Sequence, residues 1–119
     1  KAAKLHRLND AAQAFIHDAA GLDNVPDFEF ASWSIQAAEA KAWAAEPSAP
    51  TPVLDQIAAS RGIPASTLKA AALRKTLEYE HLSAHIAGQR QALQSKIDAA
   101  ETQTALDAIE IAFTAPEAD

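Results

Sequence analysis

The chain has 119 residues, 49% of them hydrophobic, and a formal net charge of −6. That length supports one domain, and the hydrophobic content excludes compositional disorder. The acidic balance argues against nucleic acid as a partner, because phosphate binding needs clustered Lys and Arg. With no Cys there is no disulfide framework, Cys–zinc site or thiol nucleophile.

Residues Lys1 to Ala20 read as a helix, with Leu5, Leu8, Ala12, Phe15, Ile16 and Ala19 on one apolar face. Gly21 is the expected stop, since helices often end on a residue at positive φ. Asp23 to Asp27 reads as a connector with Asn24 and Pro26. Phe28-Glu29-Phe30 alternates but is too short for a sheet, and no longer period-two segment occurs.

A second helix is expected from about Ser32 to Ala45, given its alanine density. Trp33, Ala37, Ala40 and Ala44 share one of its faces. Trp43 falls a quarter turn from Trp33, so Trp33 is the expected core anchor and Trp43 the expected partner contact. Pro47 and Pro50 end this helix. Thr51 as N-cap and Pro52 at the first helical position open a third, with Asp55 in its first turn. It closes at Arg61-Gly62.

From residue 65 to 100 no breaker occurs except Gly88, which predicts one helix about 50 Å long. Its main stripe is Leu68, Ala72, Tyr79, Leu82, Ile86, Leu93, Ile97 and Ala100, at coiled-coil-like spacing. The stripe is interrupted at Gln89 and Arg90, and Gly88 beside that gap predicts a bend or a close backbone approach. Thr102 or Thr104 caps a last helix, with Leu106, Ile109 and Phe113 inward, and residues 114–119 are expected to fray. The expected fold is therefore all-α: a single small bundle of four to five helices over residues 1–119, dominated by the helix at about 65–100.

Much of the hydrophobic content is alanine, and only 6% of residues are aromatic. The core is expected to be thin, which predicts an elongated shape or a homo-oligomer that shares a core. The basic start, with Lys1, Lys4 and Arg7, contrasts with a tail after Lys96 that has only acids. The acids read as a solvated end. No segment approaches the roughly 18 apolar residues of a membrane span, and no secretory signal is visible. Beginning at Lys1, the sequence reads as a fragment or a processed product.

Catalytic equipment is not evident. His81 and His85 lie four apart on the long helix, one turn beyond Glu78, which suggests metal ligation. A zinc-protease motif, however, needs Glu where Leu82 stands. Glu78 and Glu80 point to different sides, and Asp107 and Glu110 sit on a short exposed helix, so neither forms an acid/base pair. No G-x-S-x-G elbow or phosphate-binding Gly loop is present. The expectation is a non-enzyme without cofactor.

One order of residues is distinctive. Ser32, Trp33, Gln36, Glu39, Ala40 and Ala42 precede a turn with Pro47, Ala49 and Pro50. Thr51, Pro52, Leu54 and Asp55 follow, then Arg61, Gly62 and Ile63. Gly88, Arg90, Gln91, Ala92 and Leu93 form a second landmark, followed by Ile97-Asp98-Ala99-Ala100. This order, across residues 1–109, resembles a domain of phage and prophage tail fibre or tail fibre assembly proteins. Tyr79-Glu80-His81-Leu82 departs from that pattern.

The resemblance implies a non-enzymatic tail-associated protein, either an assembly chaperone or a virion component. Its partner would be a tail or tail fibre protein, and its place the bacterial host cytoplasm or the virion tail. The expected partner-binding residues are Trp43, Pro47, Pro50, Tyr79, Leu82, Ile86 and Arg90. The rival expectations are a generic bacterial helical adaptor and a metal-dependent enzyme using His81 and His85.

Overall fold

A computed structural model describes residues 1–117. Among these it contains six α-helices and no strand: α1 (Ala2–Ala19), α2 (Asp27–Ala31), α3 (Trp33–Ala45), α4 (Pro52–Arg61), α5 (Ala65–Ala99) and α6 (Gln103–Asp107). A 3₁₀ turn, Leu22–Asn24, follows α1. The all-α expectation with one dominant helix holds. The added element is α2, which starts after the extended Pro26 and carries Asp27 and Glu29 in its first turn. Pro at the helix entry and acids near the positive end of the dipole favour this start. The alternation Phe28-Glu29-Phe30 is thus helical, not extended.

The expected stops are glycines at positive φ, Gly21 at 66° and Gly62 at 72°. At Gly62 the Ile63 N–H bonds back to the Ala58 carbonyl, the reverse pairing that closes a helix end.

The chain forms two compact units. One is contiguous, Asn24–Tyr79. Its core is Ala40 from α3, Leu54 and Ala58 from α4, and Leu68 from α5, with Ile57, Ile63, Ala72 and Leu73 packed around them. The other joins Lys1–Asp23 to the chain from Glu80 onward. Its core is Leu8 from α1, Ile97 from α5 and Leu106 from α6, bordered by Leu5, Leu93, Ile109 and Phe113. The predicted stripe of the long helix supplies buried residues to both, Leu68 to the first and Ile97 to the second.

In the unit built from the chain ends, two lysines of the N-terminal region bind helix carbonyls. Lys4, only 7% exposed, donates from Nζ to the Leu106 carbonyl at 2.7 Å. Lys1 donates to the Asp98 carbonyl at 2.7 Å. Both acceptors lie in last turns, where carbonyls lack intrahelical donors and cations suit the dipole. Two of the three basic residues at the start, Lys1 and Lys4, are therefore structural.

Gly88 lies inside α5, and a Cβ placed on it meets nothing within 4 Å. The expected close approach does not occur there. Of the segment expected to fray, Thr114 exchanges two hydrogen bonds with Gln89, at 2.8 and 3.2 Å. Residues 118 and 119 lie outside the described residues.

Candidate functional site

In the contiguous unit the turn between α3 and α4 is built by a carboxylate. Glu39 Oε2 accepts from the Val53 N–H at 3.1 Å, and Oε1 from the Leu54 N–H at 2.9 Å. These are the second and third positions of α4, the amides that an N-cap side chain ordinarily serves. Thr51 occupies the N-cap position but its hydroxyl makes no cap bond. It is 3% exposed and donates instead to Asp55 Oδ1 at 3.0 Å. Lys69 Nζ approaches the same carboxylate oxygen at 3.4 Å. The Pro-punctuated turn is thus fixed by two acids, one on each side. Pro47 and Pro50 are exposed and Trp43 is half-buried, so these three expected contacts lie at the surface of this unit.

Trp33 belongs to an aromatic trio. Its ring centroid lies 4.9 Å from Phe30 and 5.5 Å from Tyr79, with Phe30 and Tyr79 at 6.2 Å, all edge-on. Such edge-to-face pairs add about 0.5–1.5 kcal/mol each beyond area burial. Trp33 is half-buried, an anchor of α2 and α3 on α5. Tyr79, expected to face a partner, is spent on this intramolecular contact. The separations leave no gap between the rings for a ligand cation.

In the unit built from the chain ends, two of the residues expected to meet a partner make contacts within the chain. Ile86 is 3% exposed, so it is a packing residue that no docked partner reaches. Arg90 fills the polar gap of the stripe. Its Nη1 donates to Asn9 Oδ1 at 3.1 Å and to Gln94 Oε1 at 2.8 Å. The break at Gln89 and Arg90 is therefore a set of hydrogen bonds to α1 and to Thr114, not a vacant contact surface. Leu82 is half-buried.

His81 is exposed and His85 half-buried, with Nε2 shielded from solvent and without a protein partner. Among the described residues no group of three or more His, Cys, Asp or Glu stands close enough to hold a metal ion. A shallow open depression at the junction of α5 and α6 is lined by Lys1, Ala100, Glu101, Thr102, Gln103 and Leu106. It holds no nucleophile–base pair. No helix among the described residues is long and apolar enough to cross a membrane.

Sequence reasoning passed over the most exposed apolar side chains. Phe28 is 80% exposed, Ile35 52% and Leu77 52%. A phenyl ring that open to water forgoes roughly 1.5–3 kcal/mol relative to burial, so Phe28 adds nothing to the core of its unit.

The comparisons with known proteins add one match. The model of a family described as the HI1402 helical domain matches residues 74–111, the part of the chain that runs through most of α5 and all of α6. No curated protein and no solved structure matches the chain.

Proposed function

We propose that this chain is a non-enzymatic helical interaction module that works in phage or prophage tails, either assisting fibre assembly or remaining as a component. The observation that carries the interaction reading is the set of large apolar side chains left open on helix surfaces, Phe28 and Ile35 above all. Exposed aromatic and aliphatic anchors on rigid helices are the usual currency of protein–protein contact. The tail setting rests on the sequence resemblance at Ser32–Ile63 and Gly88–Leu93. Trp43, Pro47 and Pro50 supply a surface corner for a tail partner.

Co-expression with a fibre protein encoded beside it tests the proposal. Soluble, trimeric fibre formed only in its presence makes it an assembly factor. Recovery of the chain from purified particles makes it a component. If neither occurs and no fibre gene adjoins it, the tail setting falls and a general adaptor role takes its place.

A further inference from the structure

The chain beyond α6 has no regular secondary structure, yet it is packed. Ile109, Ile111 and Phe113 lie against the core of Leu8, Ile97 and Leu106. Burial alternates along this stretch: Ile109, Ile111 and Phe113 are half-buried, whereas Glu110, Ala112 and Thr114 are exposed. That two-residue period belongs to an extended chain, in a unit otherwise built of helices.

The segment crosses two helices. The Phe113 ring stands 6.1 Å from that of Phe15 in α1. One residue on, Thr114 is clipped to Gln89 of α5. The Gln89 Oε1 accepts from the Thr114 N–H, and its Nε2 donates to the Thr114 hydroxyl. At the other end the Ile109 N–H bonds the Leu106 carbonyl. Between these anchors, no backbone N–H or C=O of Glu110, Ile111, Ala112 or Phe113 has a partner among the described residues.

Much of what holds a segment in a fold is therefore missing here. A helix or a ladder pairs the backbone groups that it orders. This stretch relies on half-buried side chains and one exposed amide clip. Its charge is also unfavourable. After Lys96 the sequence contains acids and no base, so Glu110 joins Asp98, Glu101 and Asp107, and like charges repel.

We propose that residues 109–114 are a displaceable strap, seated in a peptide-binding cleft between α1 and α5. The ligand is an extended segment of a partner protein, with large apolar residues at alternate positions and a base between them. The strap itself shows what the cleft accepts, because its own i, i+2 and i+4 side chains sit there. A base at the position of Glu110 turns repulsion into attraction, which offsets the tethered segment's advantage of proximity. A seated strap lowers a partner's apparent affinity by the fraction of cleft that is open, so the Gln89 clip sets the threshold for entry. The inference rests on the reading of the chain as an interaction module and is independent of the tail setting.

Two acetylated and amidated heptapeptides serve as probes: a copy of residues 109–115, and the same copy carrying Glu110→Lys. Fluorescence anisotropy of the labelled peptides on the full chain should show tighter binding of the lysine peptide, with the difference shrinking at about 1 M salt. In the protein, Gln89→Ala deletes both clip bonds. It should keep the helical circular dichroism and tighten binding of both peptides about tenfold. Glu110 reports on the strap directly. Cleavage after it by a glutamate-specific protease should quicken in Gln89→Ala, and in the unaltered chain when the lysine peptide is added. Thr114→Ala removes one bond of the clip and should shift both readouts the same way by less; it carries the test if Gln89→Ala does not fold. The proposal is overturned if neither peptide binds a clip variant at about 1 mM, or if the lysine peptide binds without quickening cleavage at Glu110. Either failure would leave the contact role of Phe28 and Ile35 untouched, since both lie outside this unit.

Discussion

Glu39 caps the helix that Leu54 anchors. Its carboxylate crosses the Pro turn from α3 and takes the Leu54 N–H at 2.9 Å, while the Leu54 side chain is fully buried against Ala40 and Leu68. Four N–H groups at a helix start lack intrahelical acceptors. At α4, Pro52 removes one of them and Glu39 satisfies two. Helix entry and core packing are thereby coupled through one side chain.

The Glu39→Ala variant should lose roughly 1–3 kcal/mol of stability, because a charge-assisted double acceptor disappears from two amides that then go unpaired. The Thr51→Val variant should lose less, about 1 kcal/mol, since the Thr51 hydroxyl bonds only Asp55. Urea unfolding compares the two. Equal losses would contradict the assignment of the cap to Glu39.

Two glycines should respond with opposite sign to the same substitution. Gly62→Ala should destabilise by about 1 kcal/mol, because φ is 72° there and alanine is strained in that region. Gly88→Ala should stabilise by roughly 0.5–1 kcal/mol, because the site is mid-helix and open space surrounds the added methyl. Thermal unfolding of both variants checks the pair. A destabilising Gly88→Ala would mean that the backbone there departs from regular helix.

Lys4→Met keeps the buried aliphatic stem and deletes the ammonium. The Leu106 carbonyl then keeps only the Ile109 N–H, at 3.2 Å, and loss of the charge-assisted bond costs about 1–2 kcal/mol. Amide hydrogen exchange across residues 103–109 should accelerate while α4 is unaffected. Unchanged exchange in α6 would show that the lysine contributes only its packing.

Much of this fold was legible in the sequence, and the reasons differ by element. Helix α1 shows a clean apolar period. Helices α4 and α5 are bounded by Pro52, Gly62 and Pro64, whose backbone restrictions act locally. Helix α2 was missed because five residues are too short for a 3.6-residue period, and Phe28 and Phe30, two apart, mimic a strand. The Glu39 cap spans fourteen residues of sequence, and local motif reading places the cap on the adjacent Thr51. The Arg90 contacts reach Asn9, far away in the chain, so the gap in the stripe looked like a surface. Burial of Ile86 depends equally on distant segments.

The joining of the chain's two ends in one unit bears on the order of folding. Contacts such as Lys4 to Leu106 close a loop of about a hundred residues, so that unit cannot assemble until α6 has been synthesised. Asn24–Tyr79 depends on shorter loops and is finished earlier on the ribosome. While it waits, α1 has none of its Ile97 and Leu106 partners and presents Leu8 to the surroundings. The interval between emergence of α1 and emergence of α6 is therefore when this unit is most exposed to aggregation, and slowing translation beyond residue 79 should lower its soluble yield.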